Sequence, residues 1–173
     1  MPLIVFSMTQ RALNELFHGK GAHADPLACI EDVPAELAGR RQETFPHSIA
    51  QLVFHMNYWM DYELRRIRGE RPPYPEHSSE SFPAKSHVDA EEWDRMRKQF
   101  ASLLGDFCTL ANSPPEKKTR QVESMHEAGK KVDGTLEAVL WQLVSHNSYH
   151  TGQIATLRRA FGAWPPRGGG DSW

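Results

Sequence analysis

The sequence has little of what marks secreted, membrane-spanning or nucleic-acid-binding proteins. It contains only two cysteines, Cys29 and Cys108, and their separation fits neither a metal-type nor a redox-type pair. We therefore expect both to be inert, reduced thiols in the core. No apolar run approaches the roughly 18 residues of a membrane span. The formal net charge of -2 gives no electrostatic sign of a nucleic-acid or membrane partner.

The start of the chain also lacks the marks of an export signal. Residues 1–8 are mildly apolar, but they have no basic leader and no small-residue cleavage site. Together with the unpaired cysteines, this predicts a cytoplasmic protein. A length of 173 residues suits one domain with a substantial core and is too short for two. We therefore predict a single domain over residues 1–173.

Helical periodicity dominates the chain, and no stretch has convincing strand-like alternation. Proline and glycine clusters divide it into four long helices, predicted at about residues 4–18, 48–68, 89–112 and 135–161, before an irregular tail over 162–173. The proline-rich first connection can hold at most a short helix near residues 35–41. The pattern predicts an all-α protein, a four-helix bundle.

Two of the predicted helices begin with capping signals. Ser48 followed by Gln51 is typical of a capping box, and Asp89 followed by Glu92 opens the next helix in the same manner. The connections before and after the helix at 48–68 are long, which argues against a simple up-and-down series of hairpins. We expect at least one crossover that joins parallel neighbours.

The last predicted helix carries two histidines on the face that should meet the core. Successive helical residues turn by about 100°, so His146 and His150 lie about 40° apart, in the middle of an apolar stripe. Imidazoles at this spacing suit chelation of a single ion. Burying both rings without partners would cost on the order of a few kcal/mol, and a metal satisfies one nitrogen on each.

The helix at 48–68 offers a third ligand, since His55 lies at the edge of its apolar stripe, one to two turns inside a capped helix. We interpret His55, His146 and His150 as the ligands of one divalent metal ion. A bundle without metal is the alternative, in which the rings bond to one another or to Gln153 and Asn147. Gln153 projects within about 20° of His146 and is the candidate for a hydrogen bond to a ligand or substrate.

The remaining histidines lie in predicted loops or at helix ends, and we assign them no role: His18, His23, His47, His77, His87 and His126. Glu63 also projects toward the predicted core. It is about 12 Å along the helix from His55 and cannot share the same ion. We expect it to form a partly buried salt bridge.

Two segments of the chain resemble the DinB/YfiT-like superfamily, which includes metal-dependent enzymes. One is the run HSIAQLVFH at residues 47–55, followed by Trp59. The other is the run HNSYHTGQI at residues 146–154. The tail PPRGGGDSW at residues 165–173 is similar to the C-termini of the family, and the order and lengths of the four helices match as well.

This resemblance implies a four-helix bundle with a three-histidine site, carried here by His55, His146 and His150. It also implies zinc, nickel or ferrous iron as the ion, and a homodimer. Activities in the family include transfer of low-molecular-weight thiols, thiol-dependent isomerisation and metal-dependent hydrolysis. The sulfoxide synthases of the family have H-x-x-x-H-x-E in the last helix, whereas this chain has Gly152 in place of the glutamate.

Three neutral histidines leave a divalent ion its full charge and at least one open position, which is typical of a catalytic site. The ion would favour ionisation of a bound water or thiol. The sequence has no clear general base beside the ligands. We predict a metal-dependent enzyme that acts on a small molecule, a thiol S-transferase or a hydrolase. A non-catalytic metal-binding or stress-related protein is the alternative.

Overall fold

The computed structural model describes residues 8–126 and 130–169, and its regular structure is mostly helical. The helices are α1 Met8–Phe17, α2 Pro26–Glu31, α3 Ala35–Gly39, α4 Ile49–Ile67, α5 Ala90–Ala111, α6 Pro115–Lys118 and α7 Leu136–Ala160. A 3-10 turn occurs at Ser78–Ser81, and an antiparallel hairpin is formed by β1 Gln121–His126 and β2 Lys130–Thr135. The predicted all-α fold class is confirmed.

Helices α4, α5 and α7 each begin directly after a capping residue. The Ser48 hydroxyl accepts a hydrogen bond from the Gln51 backbone N–H, and the Gln51 side chain accepts one from the Ser48 N–H, so both halves of the capping box form. Asp89 caps α5 through the Glu92 N–H, and Thr135 caps α7. The predicted start of the first helix, at residue 4, lies outside the described residues.

The four longest helices pack side by side, with α5 and α7 each in contact with both α1 and α4. Helices α4 and α5 run parallel, because Asn57 donates to the Met96 carbonyl and, further along both helices, Arg68 meets Asp106. The predicted crossover is therefore the connection between α4 and α5. Helix α7 is antiparallel to α4, because Arg120 joins the start of one to the end of the other. Its carbonyl accepts from the Leu136 N–H at the start of α7, and its guanidinium donates to the Ile67 carbonyl at the end of α4.

Large aromatic side chains of α5 pack against α1 and against the chain between α2 and α3. Phe17 packs against Phe107 with ring centroids 6.1 Å apart, and both are buried. The fully buried Trp93 donates its indole N–H to the Val33 carbonyl at 2.6 Å. This bond satisfies the polar atom of a buried indole and ties the chain between α2 and α3 to α5.

Glu63 forms the buried salt bridge that the sequence predicts. Its carboxylate lies 2.7 Å from Arg66 Nη1, with both side chains almost fully buried. Burial raises the pKa of Glu63 above its usual range, and the guanidinium only partly offsets this. Arg66 also donates to the Val122 carbonyl of β1. The pair therefore ties the hairpin to α4.

The sequence pattern predicts none of α2, α6 and the hairpin, and the expectation of no strand is wrong. Helix α2 begins at Pro26, after Asp25 has accepted a hydrogen bond from the Leu27 N–H. An aspartate before a proline at the first helical position is a recognisable start signal. The hairpin gives a weaker signal, because its strands are held by backbone pairing and its polar sequence hides the alternation around the buried Val122.

The described part of the tail, residues 161–169, contains no helix or strand, and residues 170–173 lie outside the described part of the chain. None of the helices in the described ranges combines the length and the hydropathy that a membrane crossing requires.

The capping box of α4 gives the first testable prediction. Ser48→Ala removes the acceptor for the Gln51 N–H and the bond from the Ser48 hydroxyl to the Ser86 carbonyl. We expect the free energy of unfolding in urea to fall by about 1–2 kcal/mol. Ser102→Ala, on an exposed face of α5, is the matched control and should cost nothing. An equal effect of both substitutions would contradict the assignment of the cap.

Candidate metal centre

The three histidines singled out in the sequence meet between α4 and α7. His55 lies on the second turn of α4, and His146 and His150 lie one turn apart on α7. One ring nitrogen of each lies within 4.8 Å of the others. Among the residues that the structure describes, no other three His, Cys, Asp or Glu side chains are grouped in this way.

The rings approach one another closely. His55 Nε2 and His146 Nε2 are 3.0 Å apart. The ring centroid of His150 lies 4.7 Å from that of His55 and 4.5 Å from that of His146. His55 and His150 are buried and His146 is half-buried. The spacing suits a shared ion, because Zn–N bonds in proteins are about 2.0–2.1 Å long.

The outer nitrogen of His55 is held by the 3-10 turn before Phe82. His55 Nδ1 lies 2.8 Å from Ser81 Oγ, and the Ser81 hydroxyl donates to the Ser78 carbonyl at 2.6 Å. The hydroxyl has one hydrogen and has used it, so it accepts from His55. The proton of the neutral ring is therefore on Nδ1, and Nε2 presents a lone pair to the cluster.

The other two histidines follow the same pattern with amide oxygens. His150 Nδ1 lies 2.7 Å from Gln153 Oε1, while Gln153 Nε2 donates to the Tyr149 hydroxyl at 3.4 Å. His146 Nδ1 faces Asn147 Oδ1 at a longer 3.4 Å. Gln153 thus bonds a histidine of the cluster, one of the two roles that its direction on α7 predicts. With its proton on Nδ1, each ring can present an Nε2 lone pair to a shared ion.

The three rings form a group that could hold a metal ion. Burial lowers the pKa of His55 to about 3 and that of His146 to about 4, and the neighbouring histidines lower both further. At neutral pH the rings are therefore uncharged, and the 3.0 Å between the two Nε2 atoms is the distance of a hydrogen bond, which His146 in its Nε2–H tautomer donates to His55. A cation would take the place of that hydrogen and bind both nitrogens. The donor set of three neutral imidazoles fits a divalent transition metal.

Aromatic rings enclose the cluster on the α4 side. The Phe82 ring lies between His47 and His55, stacked at 3.9 Å on the first and 4.0 Å on the second. The edge of Trp59 meets His55 with centroids 6.3 Å apart. His47 is close enough that its charge contributes to lowering the pKa of His55. These rings keep the imidazole of His55 in a water-poor environment.

The sequence alone does not predict three of these neighbours. Ser81 and Phe82 belong to a connection that the sequence marks only as a loop, and no spacing links them to α4. His47 immediately precedes the capping residue of α4, a position that by itself indicates no role. Its place beside Phe82 depends on how the connection between α4 and α5 folds back. No local pattern in the sequence encodes that contact.

Two neighbouring helices of this protein bring three imidazoles together in its interior. This arrangement is typical of helical proteins with a histidine site of the metal-binding type. The family model of the DinB superfamily matches residues 20–154, a range that includes all three histidines. The chain belongs to the DinB superfamily. A comparison with curated proteins finds no match. Family and cluster together fit a metal-binding protein.

The low pKa values predict that acid destabilises the metal-free protein. An unfolded histidine has a pKa of about 6.5, above the folded values of about 3 for His55 and about 4 for His146. Between pH 6.5 and 4 the unfolded chain binds more protons than the folded one. Each unit by which the pH is lowered therefore reduces the free energy of unfolding by about 1.4 kcal/mol for each such histidine. Urea unfolding in the presence of a chelator measures this slope.

A His55→Gln variant should show a flatter dependence of stability on pH than the parent protein, because it lacks one of these protonation sites. His87→Gln, in the exposed segment before α5, serves as the control and should keep the parent slope. Identical slopes for all three proteins would contradict the assignment.

Proposed function

We propose that the protein is a metal-dependent enzyme in which His55, His146 and His150 hold one divalent ion: zinc, nickel or ferrous iron. The observation that carries the proposal is the convergence of one ring nitrogen from each of three histidines. Each ring is oriented by an oxygen on Nδ1, the arrangement usual around metal-ligating histidines.

The composition of the ligand set favours a catalytic over a structural site. A divalent ion on three neutral imidazoles keeps its full charge and supplies Lewis acidity to a water or a thiol. Within the described residues the group contains no fourth His, Cys, Asp or Glu. Structural zinc sites use four protein ligands, whereas catalytic ones use three.

Transfer of a small thiol suits the surroundings better than hydrolysis. Among the residues that the structure describes, the group itself contains three histidines and no carboxylate, so it offers hydrolysis no general base of its own. A thiol needs less help, since its pKa is about 8.5 whereas that of bulk water is about 15.7. Thiol S-transferase activity is therefore the first candidate, and hydrolase activity the second.

The substrate has its best approach from the side of α7. Phe82 and Trp59 cover His55, whereas Tyr149 packs its ring 5.0 Å from that of His150 and is 65% exposed. Gln153 connects the two by bonding His150 Nδ1 and the Tyr149 hydroxyl. We assign Gln153 to orienting His150, and Tyr149 to contacting a small substrate at the rim.

Two expectations from the family resemblance and the composition remain predictions. One is that the protein is a homodimer, which light scattering after size-exclusion chromatography measures directly. The other is that it acts in the cytoplasm.

Metal analysis is the direct test of the ligand set. We expect about one equivalent of zinc, nickel or iron per chain after metal-supplemented expression, and none at stoichiometric level in His150→Ala. Circular dichroism should remain largely helical, because α7 keeps its packing. The control variant His87→Ala should keep the metal. Less than about half an equivalent in the parent, or unchanged metal in His150→Ala, would refute the site.

Gln153→Leu tests the orientation of a ligand without removing one. The substitution leaves all three imidazoles in place but takes away the acceptor for His150 Nδ1. We expect metal affinity, measured by competition with a chelator, to fall about 10–100-fold. An affinity equal to that of the parent would show that the hydrogen bond to His150 has no part in binding.

An activity screen distinguishes a metal-dependent enzyme from a metal-binding protein without catalytic activity. Metal-loaded protein is incubated with an electrophile and each of several low-molecular-weight thiols, and the thioether product is quantified. We expect turnover that is lost in His150→Ala and retained in His87→Ala. Full metal occupancy with no turnover of any thiol or ester substrate would favour the non-catalytic alternative.

A further inference from the structure

A second cluster of chemically active side chains lies outside the three histidines of the metal centre. It consists of Cys108 from α5, His18 immediately after α1, and Asp25 at the start of α2. His18 Nε2 lies 3.4 Å from Cys108 Sγ, and His18 Nδ1 lies 3.0 Å from Asp25 Oδ2. One imidazole therefore bridges a thiol and a carboxylate.

The order of these groups is that of a nucleophile, its base and the group that orients the base. The carboxylate of Asp25 accepts from Nδ1–H of His18, which leaves the Nε2 lone pair facing the thiol. Asp25 is itself fixed, because its other oxygen accepts from the Leu27 N–H at 2.7 Å. Cys108 is thus paired with a base of defined tautomer, in the geometry that thiol and hydroxyl nucleophiles share across unrelated folds.

The two cysteines of the chain differ in this respect. Cys29 is fully buried, whereas Cys108 is only half-buried, and the side chains of His18 and Asp25 are 40% and 36% exposed. Burial raises the pKa of both thiols to about 11, and the charge of Asp25 contributes at Cys108. At neutral pH both sulfurs keep their protons, so reaction requires a base, and His18 supplies one at Cys108.

We propose that Cys108, His18 and Asp25 form a second reactive centre, which exchanges with small disulfides that are neutral or cationic. His18 Nε2 takes the thiol proton as Cys108 Sγ attacks one sulfur of the disulfide. A bond forms between the two sulfurs, the disulfide bond of the reagent breaks, and the departing thiolate takes the proton from His18. Cys108 is left as a mixed disulfide, and one small thiol is released.

The size and charge of the partner follow from the surroundings. Cys108 lies between α5 and the segment after α1 and is only partly accessible, so a small reagent is required. The carboxylate of Asp25 disfavours an anionic one. The inert-thiol expectation for Cys108 is replaced by this proposal, while the fully buried Cys29 keeps the expected inert role.

The test uses the full-length protein carrying Cys29→Ser and the neutral reagent 2,2′-dithiodipyridine. We expect release of one equivalent of thiopyridone, followed by absorbance, and mass spectrometry should locate the adduct on Cys108. His18→Gln should slow the reaction at pH 7 at least about tenfold, since general bases contribute about 10²–10⁴-fold. No thiopyridone from the folded Cys29→Ser protein, or an undiminished rate in His18→Gln, would overturn the proposal.

A second pair of variants separates a base from a contact that merely ties α1 to α5. His18→Ala should be slow and should recover its rate when free imidazole is added, because the small base enters the space left by the ring. Asn14→Ala removes another contact between α1 and α5 and should react as the parent does. A slow His18→Ala variant, folded by circular dichroism, that imidazole does not rescue would assign His18 a packing role and refute the proposal.

Discussion

The proposed site depends on one close contact between two ring nitrogens from different helices. His55 Nε2 and His146 Nε2 lie 3.0 Å apart, and the Ser81 hydroxyl leaves a lone pair on the first of them, because it accepts from His55 Nδ1. Helices α4 and α7 thus hold two uncharged rings at the distance of a hydrogen bond. A cation in the proposed site would bind both nitrogens, so the packing of the two helices and the proposed binding of metal would be coupled.

Polar side chains orient the rings of the cluster. The oxygens of Ser81, Asn147 and Gln153 each lie against the Nδ1 atom of one ring, where they can accept a hydrogen bond. Phe82 and Trp59 then limit the access of water to His55. The hydrogen bonds set the direction of the lone pairs, and the aromatic rings keep the local dielectric low. Both effects strengthen the attraction between the site and a divalent ion.

The sequence predicts the parts of this arrangement that are local in the chain. The i, i+4 spacing of His146 and His150 and the capping box before His55 are properties of single helices, and the structure has both. Gln153 could be selected for the same reason, since one turn of helix fixes its direction relative to His150. The predicted boundaries of α4, α5 and α7 are within one or two residues of those observed.

Contacts that depend on tertiary folding escaped the sequence. Ser81 reaches His55, and Phe82 reaches both His47 and His55, because the connection between α4 and α5 folds back over the start of α4. No periodicity in the sequence encodes such a return. The hairpin at β1 and β2 was missed because its strands are held by backbone pairing and by the bond from Arg66 to Val122. The Cys108–His18 contact likewise joins residues 90 positions apart.

The crossover between α4 and α5 has a consequence beyond topology. Two parallel neighbours require a long return, and this return carries Ser81 and Phe82 to His55. The segment that solves a problem of connectivity thus also orients a ligand of the candidate metal site. We expect an insertion or exchange in this loop to alter the metal affinity of the proposed site while leaving every helix and all three imidazoles of this chain intact. A change of ligand geometry can thus be made without a change of ligand.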